Sequence, residues 1–77
     1  SGLNRPGALI VEVEPESVAF EAGLRRGMVV TEINRRAVKG RDDLLSALKS
    51  LTAGSVALMR VILPGSAGNT LIALEVP

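Results

Sequence analysis

This sequence predicts one small α+β domain, and three observations lead there. Its 77 residues suit a single compact module, and no run of Ser, Pro or like charge marks a linker between two. Segments with strand character alternate with two helical segments, one short and one longer. Apolar residues make up 47% of the chain, which supplies one core, although a core in so short a chain nets only about 3–5 kcal/mol.

The elements follow in chain order. From Ala8 to Glu14 the residues alternate, with Leu9, Val11 and Val13 on one side and Ile10, Glu12 and Glu14 on the other, the pattern of a half-buried strand whose first set faces inward. Pro15-Glu16 ends it. Ser17 then offers a side-chain acceptor to the first amides of a short helix running through Ala22, with Gly23 as a left-handed cap and Leu24 packing back. Met28–Ile33, rich in β-branched residues between Gly27 and Asn34, is a second strand, and Asn34 suits the turn after it. Asp42 and Asp43 favour the positive end of a helix dipole. Leu44, Leu45, Leu48 and Leu51 recur at helical spacing, giving a helix over 41–51 with a wide apolar stripe that includes Ala47. Thr52-Ala53-Gly54 stops it. The stretch from Ser55 to Leu63 is apolar on both alternating faces except at Arg60, as expected of a central strand covered from both sides. Residues 64–69 form a hairpin loop, and the returning strand carries Thr70, Ile72, Leu74 and Val76 on one face.

Several functions are disfavoured by composition. There is no cysteine, closing the disulfide and thiolate-metal routes, and no histidine, the commonest general base and metal ligand. No serine therefore has an imidazole to activate it, and no G-x-S-x-G frame is present. Adjacent Asp42 and Asp43 point about 100° apart on a helix and do not share a substrate. Glu12 and Glu14 read as a solvated strand face and not as a metal site. No cofactor and no metal are expected. The longest uncharged run, 51–59, falls far short of the ~20 apolar residues of a membrane span. No leader-like segment opens the chain, so any targeting signal is expected outside it. Residues 1–6 are read as a linker or cloning remnant.

Taken together, Gly7-Ala8-Leu9-Ile10-Val11, Glu14-Pro15-Glu16-Ser17, Ala22-Gly23-Leu24-Arg25-Arg26-Gly27, Val30-Thr31-Glu32-Ile33-Asn34 and the helix from Asp42 to Leu48 resemble a PDZ domain. The A-G-L-x-x-G spacing and strand order are similar to PDZ domains of the bacterial HtrA/Deg trypsin-like serine proteases. Related modules occur in site-2 proteases and secretion-system proteins. Met28 stands where the family has an acid, and Arg35 where it has glycine. The resemblance implies a PDZ-like small, partly open antiparallel β-barrel or sandwich of about four to five strands, spanning residues 1–77 as one domain. It implies a non-catalytic module that binds C-terminal or extended peptides by strand addition beside helix 41–51. Its implied partners are such segments, together with the protease domain and other subunits of its parent, in the periplasm or cell envelope. The loop and strand that hold a peptide's carboxylate in that family lie upstream of Gly7, and the carboxylate site is expected to be missing from this chain or degenerate.

By the same resemblance, Arg41, Leu45 and Leu48 face the ligand while Leu44, Ala47 and Leu51 turn to the core. The alternatives are that all four leucines are core and Arg41 is a solvated charge, or that the domain assembles or regulates its parent without a working groove. Arg25, Arg26, Arg35, Arg36, Lys39 and Arg41 crowd one region and form a candidate nucleic-acid patch. A net charge of +1 and a single aromatic, Phe20, weigh against it, so a solvated turn region or a contact between subunits is the preferred reading of that patch.

Overall fold

The computed structural model describes residues 7–65 and 68–77. The expectations for residues 1–6, and for the tip of the hairpin loop at 66–67, lie outside them. Seven elements follow in order: β1 (Ala8–Leu9), α1 (Val18–Ala22), β2 (Val29–Ile33), β3 (Arg36–Ala37), α2 (Arg41–Lys49), β4 (Val56–Ile62) and β5 (Asn69–Glu75). The strands form one antiparallel sheet in the order β1-β2-β4-β5, with β3 paired to β2.

The core forms where β2 meets β4. Val30 pairs with Val61 and Ile33 with Met59, and all four side chains are buried. Between those pairs the register shifts by one residue at Thr31, a bulge that keeps both pairs on the same inner face although an odd count separates Val30 from Ile33. Ala8, Leu24, Met28, Val38, Ala57 and Ile72 complete the buried cluster.

Local chemistry fixes the helices. Ser17 is extended, its Oγ accepts from Phe20 N at 3.1 Å and donates to Glu14 O at 2.8 Å, so one hydroxyl both caps α1 and closes the preceding turn. Gly23, at φ 111°, ends α1 in the left-handed region. Arg25 seals the same end: its Nη1 donates to Phe20 O and Leu24 O, and its guanidinium lies 3.6 Å from the Phe20 ring centroid. The N-cap of α2 is Gly40, which has no side chain to offer, and Asp43 compensates by accepting from Lys39 N at 2.9 Å.

Three expectations are corrected. In the stretch 8–11 the inward set is shifted by one residue, whereas Val13 packs against the core as expected. Ala8 pairs with buried Val30, and because directly paired residues share a face, Ala8 is buried and Leu9 and Val11 are 61% and 71% exposed. Only Ala8–Leu9 forms a regular strand, although Ile10 still exchanges backbone bonds with Met28 and Gly27. Strand β4 is central but covered on one side only: Ala57, Met59 and Val61 are buried, while Val56 and Leu58 are exposed. The short strand β3 was not anticipated. It arises because Asn34 and Arg35 both take positive φ, 49° and 68°, the signature of a tight two-residue hairpin turn between Ile33 and Arg36. Asn34 clamps that turn to β4, donating through its N–H to Leu58 O and accepting from Leu58 N at Oδ1.

Asparagine tolerates this geometry, whereas Arg35 pays a steric penalty of order 1 kcal/mol that glycine would avoid. Arg35→Gly is therefore expected to raise stability by about 0.5–1 kcal/mol, read as a higher urea midpoint at unchanged slope. An unchanged or lower midpoint would show that the turn carries no such strain.

Candidate functional site

Helix α2 has two apolar faces with different neighbours. Leu44, Ala47 and Leu51 pack against the core cluster, whereas Leu45 and Leu48 remain 40% and 37% exposed. Successive residues advance by about 100° around the axis, so residues 44 and 47 fall on one side and 45 and 48 beside it; the helix ends at Lys49, two residues short of the expected 41–51, and Leu51 follows its cap.

Between α2 and the segment 10–14 lies an open groove of about 360 Å³, within the range of roughly 300–1,000 Å³ typical of ligand sites. Ile10, Val13, Leu24, Val30, Leu44, Leu48, Met59 and Leu74 give it an apolar lining, with Glu12, Glu14 and Ser17 as its polar side chains. The Ser17 hydroxyl is engaged at the helix cap. The two carboxylates make no hydrogen bond or ion pair with other described residues; the ion pair found among those residues joins Arg60 to Glu32 across β4 and β2.

One border of this groove is a sheet edge. Among the described residues, strand β1 is terminal in the strand order. Ile10 directs both its N–H and its C=O to the β2 side, bonding Met28 O and Gly27 N at 2.8 Å each. Backbone groups alternate along an extended chain, so those of Leu9 and Val11 point away from β2. Such an edge is a template for another strand.

Of the three residues singled out for ligand contact, Leu48 lines the groove and Leu45 is exposed beside it on the same helix. Arg41 is the first residue of α2, exposed and without a hydrogen-bond or ion-pair partner among the described residues. The groove floor from Leu24, Val30 and Met59 was not foreseen, since residues far apart in sequence meet there only through the β2–β4 ladder. The basic stretch is divided by the fold. Arg25 is spent on the end of α1, and Arg35 and Arg36 lie at the opposite end of β2 from Arg25 and Arg26.

The family model described as PDZ domain matches residues 2–71. The chain is a PDZ domain. Among curated proteins it is 38% identical over 53 residues to a protein named probable periplasmic serine endoprotease DegP-like from Chlamydia pneumoniae, covering 69% of this chain and 11% of that protein. It is 33% identical over 64 residues to serine protease PepD of Mycobacterium tuberculosis, covering 83% of this chain and 14% of the protease. This PDZ domain thus spans a small fraction of those proteases. Among solved structures, the HtrA3 PDZ domain bound to a phage-derived ligand superposes with a TM-score of 0.74 at 21% identity, over 87% of this chain and 56% of that one. The PDZ domain of an SdrC-like protein from Listeria monocytogenes gives 0.79 at 20% identity, over 92% and 72%. At these identities the two structures speak for the fold: an open antiparallel sheet with one short and one longer helix.

The two faces of α2 separate stability from the groove. In this PDZ domain Leu44→Asn is expected to cost about 2–4 kcal/mol by removing packing and burying an amide, whereas Leu48→Asn stays within about 1 kcal/mol. Urea unfolding of both variants checks this. Equal losses would mean that Leu48 is core.

Proposed function

We propose that this domain is the non-catalytic peptide-binding module of an HtrA/Deg-type serine protease, taking extended or C-terminal segments by strand addition. The observation that carries the reading is the apolar groove walled by α2, beside a strand that stands at the end of the strand order among the described residues. In such a mode backbone hydrogen bonds to the edge give affinity and side-chain pockets give selectivity. Leu48 lines the pocket for an apolar side chain, Leu45 contacts its neighbour, and Arg41 meets polar groups further along the ligand.

The curated relatives support the parent: both described above are serine proteases. The chain has no histidine, so the hydrolytic machinery belongs to the rest of that parent and this part supplies recognition. The HtrA3 PDZ domain has been crystallised with a peptide ligand, which supports the same role here. The name of the Chlamydia relative, a probable periplasmic endoprotease, supports a periplasmic or envelope setting. Affinity is expected near micromolar, about −8 kcal/mol, because a flexible peptide must be ordered to bind.

Titration of the isotope-labelled domain with short peptides bearing free or amidated C-termini tests this. Shifts confined to 9–14 and α2 are expected, lost in Leu48→Arg while the rest of the spectrum is retained. Silence at millimolar peptide from a folded sample would leave an assembly or regulatory domain without a working groove. Loss of binding on amidation would identify a carboxylate reader, and indifference to it an extended-segment reader.

A further inference from the structure

We infer that the outer face of the sheet, on the side away from the core, is a contact between two copies of this chain, independent of the peptide-binding reading. Val56 and Leu58 of β4 and Leu71 of β5 are 56%, 42% and 51% exposed, and Ala73, paired with Leu58, is exposed as well. Alternation puts them on one face, because their neighbours Ala57, Met59 and Ile72 are buried on the other. Contiguous apolar patches rimmed by polar residues mark interaction sites. The charges at this rim identify the occupant. Among the described residues, Arg60 is committed to Glu32 and Asn69, whereas the side chains of Arg35 and Glu75 have no hydrogen-bond or ion-pair partner. These two lie on opposite flanks of β4: Arg35 follows β2, Glu75 ends β5, and β4 runs between those strands. Both stand near its first residues, since Val56 pairs with Glu75 and Asn34 bonds Leu58. A twofold axis running along β4 therefore lays Val56 and Leu58 of one copy against the same residues of the other, and brings each Glu75 over the other copy's Arg35. The face is self-complementary, as an isologous contact requires, and the two sheets meet in the aligned manner of a β-sandwich. Arg35, Leu58 and Leu71 share a shallow notch of about 210 Å³ that receives the carboxylate. So few apolar side chains cover less than the roughly 800 Å² per partner of a standard stable interface. The contact is weak, and it fills where copies are held together at millimolar effective concentration.

Sedimentation equilibrium and dilution spectra of the isotope-labelled 77-residue chain, from micromolar to millimolar concentration, test this. The average mass is expected to rise from 8.0 kDa toward twice that, with concentration-dependent shifts confined to 35, 56–58 and 71–75. Leu58→Glu abolishes both effects, and Leu71→Ser, a milder change, weakens them. Glu75→Arg weakens association about tenfold, and adding Arg35→Glu to it restores association, while the groove variant Leu48→Arg changes nothing. A mass that stays at 8.0 kDa at millimolar concentration would overturn the inference and leave this face to the rest of a longer parent. Association that survives Leu58→Glu in a folded sample, that shifts α2 or 9–14 instead, or that the charge exchange fails to restore would overturn it as well.

Discussion

Everything in this domain hangs on the antiparallel ladder between β2 and β4. With no disulfide available, the buried pairs Val30–Val61 and Ile33–Met59 provide the apolar surface that offsets the entropy of ordering the chain. The extra residue at Thr31 is what allows both pairs to face the same way. Thr31 also ties the bulge down, its Oγ1 donating to Arg60 O at 3.3 Å and its C=O accepting from Val38 N at 2.9 Å. Through the second bond the bulge positions Val38, whose burial fixes the chain just before α2 begins.

The groove is a by-product of how that core is closed. Helix α1 lies over β5, and α2 lies near β1 and β2. Gly7 N donates to Lys39 O at 3.2 Å, joining the start of β1 to the approach to α2 and bringing the helix to one end of the edge strand. A Cβ on Gly7 would stand 2.5 Å from Val29 Cγ1 and 3.0 Å from Val30 O, so glycine lets the chain lie close against β2 at this point. Further along, the segment 10–14 leaves regular pairing, and the apolar space between it and α2 stays open. Groove and core therefore share one helix but use different sides of it.

Much of this was legible in the sequence because the signals are local. Ser17 and Gly23 bound α1 at both ends, the leucine spacing gives α2, and glycines and prolines mark the breaks. The division of α2 into Leu44 and Ala47 against Leu45 and Leu48 was likewise readable from helical angle together with family resemblance. What was not legible depends on pairing. The phase of residues 8–11 is set by the partner of Ala8, and alternation alone cannot say which set faces inward. The apolar run of β4 looked doubly covered, yet one sheet face carries Val56 and Leu58 in the open. Strand β3 was hidden because Arg35 occupies a turn position where glycine would have announced it. The groove floor was hidden for a deeper reason: Leu24, Val30 and Met59 are neighbours only in three dimensions.

The partition of α2 also bears on how such a module changes over generations. Residues that anchor the helix and residues that meet the groove interleave along nine positions, Arg41–Lys49, yet they answer to separate demands. On the proposed reading, drift at Leu45 or Leu48 would alter taste without threatening the scaffold, whereas drift at Leu44 or Ala47, which pack against the core, threatens the scaffold first. A lineage can thus diversify what it recognises through solvent-facing substitutions while the interior stays under a constant constraint. Copies of one architecture within a larger protein can then acquire different tastes.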